Sequence, residues 1–409
     1  MQLAKKIRLG VSEADAATLE FMQGKCRGLY NWLVMKLRAG ERWHFKEAKA
    51  RLADCRAHDP ELNAVYGKLL AEVYWRLDEA MQSFFKRVEE GKKPGFPRVR
   101  PRHVFFTLCY PAAYLRFEGK RLILPTGGRE GQKHFPNIVA TLAEVPPCGF
   151  REVALSRDAQ RHYYASFIYE APEAEPQEGQ VIAFDLGIKT LAMGVNEQGQ
   201  VYSIGGMTGH HWYNKQLDKL DAKRAKCKKQ SRRYLHLSQT RARIAQKKRN
   251  KRRDCLHKAS HLITHRLVAS TVVIGDLSQR QMVTKAHGEH LKARHRAVYN
   301  DWGLHDFVQM LRYKCLLAGT TLELEDEHDT SKRCSCCGHM QPMPLYKRVY
   351  RCSNPKCRLV LDRDENAARN MLQRYLARLG PYIQAPWMRC AAGDQCGVAA
   401  KEAACPVQA

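Results

Sequence analysis

VIAFDLGIKTLAMGVNEQGQVYSIGG, residues 181–206, is the stretch that decides the fold. Three apolar, β-branched runs are separated by turn-forming residues, so the segment reads as three strands joined by tight turns. The second turn carries Asn196 and Gly199. Asp185 closes the first run. Gly187, two residues on, lets the backbone turn sharply beside the carboxylate, which leaves that group open to a metal ion and a phosphate.

Working outward, a long cationic segment extends to about residue 258 and a helix is expected over 259–270. TVVIGDL (271–277) reads as a buried strand, NDWGLHDFVQMLRYKCLLAG (300–319) as a helix, and TLELEDE (321–327) as another strand. A cysteine cluster fills 334–357 and ENAARNMLQRYLARL (365–379) makes a final helix. The order β-β-β-α-β-α-β-α is that of an RNase H-like fold, in which acids at strand ends and on the last helix assemble a metal site.

Upstream, residues 1 to about 11 begin a strand. From Ser12 the pattern turns helical, with Leu19, Met22, Cys26, Leu29, Leu33 and Leu37 at three- and four-residue steps. Further helical stretches cover about 44–57 and 62–90, the last with a core stripe of Val65, Leu69, Val73, Leu77 and Met81. GKKPGFPRVRPR (91–102) reads as a linker, 103–170 as strands, and APEAEPQEG (171–179) as a second linker. The tail 381–409 holds Cys390, Cys396 and Cys405 at no ligand-like spacing and reads as loose.

The 409 residues suggest two or three domains. Sixty-nine Lys and Arg against 41 Asp and Glu give a formal charge of +28, which calls for a polyanionic partner or an anionic surface. No run of ~18 apolar residues exists to span a bilayer. MQLAKKIRLG turns charged before a signal core can form, so secretion is not expected and a cytosolic, nucleic-acid-facing protein is. Fifteen cysteines, an odd count in a large chain, then read as reduced thiols and metal ligands rather than a disulfide framework.

Cys334 and Cys337 form C-x2-C, and Cys352 and Cys357 form C-x4-C, with fourteen residues between the pairs. Four thiolates on two short turns suit one structural zinc, with no open position for catalysis. Cys336 sits at the wrong spacing. Between Lys215 and Lys258 stand 18 Lys or Arg and three Asp. Lys223, Arg224, Lys228, Lys229, Arg232, Arg233, Lys247, Lys248, Arg249, Arg252 and Arg253 are the candidate phosphate contacts on a helix too uniformly cationic for ordinary solvation. Asp364, just before the last helix, is either a cap or a metal ligand.

FDLGIK (184–189), IGDLS (274–278), YNDWGLHDFVQMLRYK (299–314), TSKRCSCCG (330–338) and LDRDENAARN (361–370) resemble TnpB, the transposon-encoded RNA-guided DNA nuclease, and the similar compact type V CRISPR effectors. The likeness is dense over about 179–378. It implies an α/β multidomain protein: a RuvC nuclease domain (179–329 and 358–380) interrupted by a zinc ribbon (330–357). A wedge-like β-barrel (1–11 and 99–178) would carry a helical recognition lobe (12–98), and 381–409 would be a flexible tail. Members bind a guide RNA, read a short flanking motif on double-stranded target DNA, open the duplex and cut it with magnesium.

Asp185 and Asp364 match the first and last catalytic acids of that motif set. The family usually has Glu where this chain has Gly275, followed by Asp276. A rearranged subset resembles this chain, with Gly in the second motif and a glutamate just before the TS-K/Q-x-C signature, where Glu327 stands. In a 3-2-1-4-5 sheet the fifth strand's end lies ~10 Å from the first, within reach of a shared metal. Asp276 is expected to face the other way. The reading is an RNA-guided DNA endonuclease using two Mg2+ held by Asp185, Glu327 and Asp364; the alternative is an RNA-guided DNA-binding repressor that does not cut.

Overall fold

The computed structural model describes residues 1–41, 45–102, 104–128, 133–187, 190–276, 295–344 and 346–380. The tail cysteines Cys390, Cys396 and Cys405 lie outside the described residues. Two compact units divide between Ala171 and Pro172. Among the described residues no helix is long and apolar enough to cross a membrane.

In the first unit, β1 (Gln2–Gly10) leads directly into α1 (Glu13–Arg38). Ser12 caps α1 by accepting the Asp15 N–H, acids fill its first turn and Lys36 and Arg38 its last, as the helix dipole favours. Helices α2 (Phe45–His58) and α3 (Gly67–Glu89) follow, and Leu69, Leu70, Val73, Tyr74 and Leu77 of α3 are buried. The expected stripe is buried from Val65 to Leu77 and half-buried at Met81, and beyond it Phe85 and Val88 are exposed. Strands β2 (Leu108–Pro111), β3 (Arg116–Glu118), β4 (Arg121–Leu124), β5 (Ile138–Leu142), β6 (Phe150–Arg157) and β7 (Tyr163–Glu170) complete a sheet ordered β2-β6-β7-β1-β5-β4-β3. Its end strands do not pair, so the expected barrel is an unclosed ladder among the described residues.

In the second unit β8 (Gln180–Leu186), β9 (Thr190–Asn196) and β10 (Val201–Gly205) form the antiparallel trio read from 181–206. β11 (Ala269–Gly275) and β12 (Thr321–Glu325) add in parallel, giving the order β10-β9-β8-β11-β12. Alternation divides the faces. Ile182, Phe184, Val272 and Ile274 pack on Leu256 and Ala259 of α5 (Arg232–His261) and on Phe307 and Leu311 of α6 (Leu304–Ala318). Ala183 and Val273 pack on Met371, Leu372, Tyr375 and Leu376 of α7 (Arg363–Leu379). A strand buried on both faces is apolar throughout, which is how TVVIG reads.

Three boundaries differ from expectation. The helix expected at 259–270 is the end of α5, which starts at Arg232 after the Ser231 cap and closes in a π-helical turn over Leu262–Arg266. α6 starts at Leu304, because Gly303 (φ +63°) interrupts the chain after a π-helical turn over Arg296–Trp302. β12 stops at Glu325, so Glu327 lies beyond it. The segment 172–179 is no free linker either: Gln177 donates to the Ala269 carbonyl and Thr320 Oγ1, and its N–H to the Gly319 carbonyl.

Lys248 corrects one expected phosphate contact. It faces inward from α5, with its side chain 8% exposed and ion-paired to Asp301. Asn214 of α4 (His210–Ala225) accepts from its Nζ at 2.7 Å and donates to Asp301 at 2.9 Å. Arg252 is likewise committed, donating to the Asn300 carbonyl at 2.8 Å and Asp306 at 2.9 Å. Lys248→Ala leaves the Asp301 charge buried and unpaired, at a cost of about 3–5 kcal/mol. Chemical denaturation should show that loss, whereas Lys247→Ala, at an exposed position, should stay within about 0.5 kcal/mol of the parent.

Candidate active site

Asp185 projects from the end of β8 on the α7 face, since Ala183 two residues earlier packs there. Gly187 is needed for space and not for φ: a Cβ there would stand 2.9 Å from the Thr190 carbonyl oxygen and 3.8 Å from Asp364 Oδ2. Gly275 occupies the same face of the neighbouring strand, because Ile274 is in register with Phe184. A Cβ on Gly275 would lie 1.8 Å from Glu327 Oε1 and 2.2 Å from its Cγ. The glutamate therefore reaches from beyond β12 into the slot that the glycine leaves, beside Asp185. Asp276, one residue on and past the end of β11, is exposed.

These acids are held under electrostatic load. Burial raises the Asp185 carboxyl well above its ordinary range, and the charges of Glu327 and Asp364 raise it further, against Arg363. Glu327 is pushed up to about 7 by burial and by the charges of Asp276 and Asp326. Its Oε1 is buried with no hydrogen-bond partner. A desolvated, unpartnered carboxylate oxygen facing other acids is what a divalent cation relieves, so the donor set fits hard, oxygen-seeking ions. The three carboxylates are not drawn into a cluster with all ligand atoms within 4.8 Å.

Asp364 sits at the start of α7, and it is Asp362 that caps the helix, accepting the Asp364 N–H at 2.8 Å. The capping alternative for Asp364 is thereby removed. Its carboxylate, 9% exposed, lies 3.5 Å from Arg348 Nη1 and 3.3 Å from Arg363. Neither arginine was singled out in the sequence; Arg363 adjoins the acid, but Arg348 is sixteen residues away and carries no local signal.

Cys334, Cys337, Cys352 and Cys357 place their sulfurs within 4.8 Å of one another. Cys334–Cys357 and Cys337–Cys352 are 3.7 and 3.6 Å apart, against the about 3.8 Å between sulfurs bound at ~2.3 Å around one zinc. Burial raises the Cys337 thiol, but the His339 N–H, the neighbouring thiols and Asn354 outweigh that and bring it down to about 7. β13 (Val349–Arg351) and β14 (Val360–Asp362) form a hairpin whose loop carries Cys352 and Cys357, rather than a hairpin between the two cysteine turns. In the first unit Glu72, Cys109 and Glu152 also converge, but Arg76 occupies that group, ion-paired to Glu72 at 3.4 Å and donating to Cys109.

Of the candidate phosphate contacts, Lys223, Lys228, Lys229, Arg232, Arg233, Lys247, Arg249 and Arg253 are exposed along α4, α5 and their connection. Arg224 is half-buried, pairing with Asp221 at 3.0 Å and lying over Tyr234.

Residues 165–286 match the family described as "Probable transposase" (OrfB_IS605), and residues 305–371 match "Cas12f1-like, TNB domain". "TnpB-like protein L79" of Acanthamoeba polyphaga mimivirus is 31% identical over 30% of this chain and 23% of its own length. Over these segments the chain is similar to TnpB-like proteins. A "Putative RNA-guided DNA endonuclease" of Streptomyces pristinaespiralis is 29% identical over 55% of this chain and 53% of that one. The chain thus spans about a quarter of the viral relative and about half of the bacterial one. The chain of a solved Cas12f1–sgRNA–target DNA complex shares its fold, with a TM-score of 0.57 at 14% identity, over 88% of this chain and 82% of that one.

The raised Glu327 carboxyl has a consequence for stability. An acid whose pKa is higher folded than unfolded stabilises the fold below the ordinary value of ~4.3, and that contribution is lost as pH rises through about 7. Glu327→Gln should therefore stabilise the metal-free protein above pH 7, by up to about 3 kcal/mol, with the gain vanishing near pH 4. Denaturation curves across that range check the sign.

Proposed function

We propose that this chain is an RNA-guided, magnesium-dependent DNA endonuclease of the rearranged RuvC subset. The observation that carries the reading is the side chain of Glu327 lying in the slot of Gly275, with its buried Oε1 unpartnered beside Asp185. A family acid lost from one strand is thereby offered from another, at the same place. Similar proteins described as RNA-guided DNA endonucleases, and the fold shared with Cas12f1, support the same reading.

Asp185, Glu327 and Asp364 would hold two Mg2+, and Cys334, Cys337, Cys352 and Cys357 one zinc. When bound, magnesium supplies an activated water and charge stabilisation for the leaving oxygen in phosphodiester hydrolysis. The chain's own part is positional. Gly275 keeps the slot open, Glu327 and Asp185 present charge there, and Arg348 and Arg363 offset the charge of Asp364. The exposed cations of α4 and α5 would neutralise phosphates of the guide or the guide–target duplex without reading sequence.

Guide pairing would then select the target, while the protein recognises a short flanking motif and opens the duplex. The first unit would serve as wedge (1–11 and 99–178) and recognition lobe (12–98). The second would be the nuclease (179–329 and 358–380), interrupted by the zinc ribbon (330–357). Such a protein acts in the prokaryotic cytosol or nucleoid.

Glu327→Gln and Asp185→Ala should each abolish magnesium-dependent cleavage, at least a hundredfold, with guide and target affinity nearly unchanged; Asp276→Asn should keep most of it. A guide-loaded parent protein that never cuts in magnesium or manganese leaves a guided DNA-binding repressor as the function. Metal analysis should find one zinc per chain, lost on replacing Cys352 and Cys357 with Ser.

A further inference from the structure

Glu327 stands on a turn, beyond the last residue of β12, where no ladder fixes the backbone. The turn is nonetheless held at consecutive carbonyls. Arg374 of α7 donates through Nη1 to the Asp326 carbonyl at 2.8 Å and through Nη2 to the His328 carbonyl at 2.7 Å, straddling Glu327. The Glu327 carbonyl itself accepts from Thr330, from Oγ1 at 2.9 Å and from its N–H at 3.2 Å. The Thr330 carbonyl in turn accepts from Asn370 at 2.8 Å and Asn366 at 3.4 Å. Both asparagines also donate to the Arg333 carbonyl at 2.7 Å.

Asn366, Asn370 and Arg374 are spaced four residues apart, so they form one polar stripe along α7. Asn366 and Asn370 are almost fully buried, at 0% and 2% exposure. Buried amides and a planar guanidinium aimed at carbonyls are a costly choice unless the position of the loop matters.

We propose that Asn366, Asn370 and Arg374 are positioning residues that set the place of the Glu327 carboxylate, through the backbone of 326–330. Asp364 begins the same helix, so one rigid element sets two of the three acids. The inference rests on the nuclease reading, in which Glu327 holds a metal. Because the acid reaches its place from a turn, a loosened turn lets the carboxylate leave the slot beside Gly275 without unfolding the sheet. Arg374 is the residue to test, since it is only partly buried and touches neither the acids nor the hydrophobic core.

The experiment measures Mn2+ binding to the purified full chain by calorimetry, alongside cleavage. Arg374→Gln should weaken Mn2+ binding about tenfold, in the range of other residues that orient metal ligands. Arg374→Lys, able to reach one carbonyl, should lose less. Melting temperature and zinc content should stay at parent values, which separates positioning from a general staple of helix to loop. In a Glu327→Gln background, Arg374→Gln should cause no further loss.

The proposal is overturned if Arg374→Gln binds Mn2+ as the parent does while Glu327→Gln does not. It is equally overturned if the tenfold loss persists in the Glu327→Gln background. Unchanged Mn2+ binding in Glu327→Gln alone removes the assignment of Glu327 as a metal ligand, and the positioning role with it.

Discussion

A glutamate side chain and a glycine share one place at the carboxyl end of the second unit's sheet. Glu327 fills the space where any side chain at position 275 would begin, with only 1.8 Å between its Oε1 and a Cβ built there. The strand order makes this exchange possible. β11 lies between β8 and β12, so an acid arriving from beyond β12 must pass over β11 to come near Asp185. A glycine on β11 is the condition for that passage. The glycine is thus what admits the Glu327 side chain to this place.

The cost of the arrangement falls on stability. Asp185 and Glu327 both have carboxyls raised by burial and by neighbouring negative charge, and the buried Oε1 makes no hydrogen bond. No fold gains by desolvating like charges together. The surrounding structure supports the site against that load. β8 and β11 are apolar on both faces, and α5, α6 and α7 cover them. Strain of this kind, localised where a cation would relieve it, is the usual mark of a functional centre.

Much of this could be read from residues alone, where the signal is local. The three strands of 181–206, the buried β11 and the gathering of the four cysteines follow from periodicity and spacing, and they stand where expected. Signals that depend on tertiary partners could not be read. Lys248 sits in a run of cations and has no sequence feature marking it as inward-facing; Asp301, its partner, is fifty-three residues away. The stretch TLELEDE reads as one strand, yet its alternation ends at Glu325, where the last ladder pair with Gly275 also falls. The stripe on α7 was equally hidden. Asn366 and Asn370 break an otherwise amphipathic helix, and only their contacts with the turn at 330–333 explain their polarity.

α7 joins the two metal-compatible groups of the second unit. Its apolar side packs on Ala183 and Val273, directly beneath the strand positions of Asp185 and Gly275. Its polar side holds the turn that leads into Cys334, and Asn366 also accepts the Ser335 N–H at 3.0 Å. Arg348, next to the hairpin that carries Cys352 and Cys357, returns to Asp364 at the start of the same helix. The cysteine module is therefore inserted between Glu327 and Asp364 in sequence, yet both ends of the insertion are fixed to α7. Thiolates bind metal only when gathered, so a bound ion there stabilises the gathered form of the module. That stabilisation reaches the acids through short, directional bonds to one helix. The insertion that separates the two acids in sequence thus braces the element that brings them together.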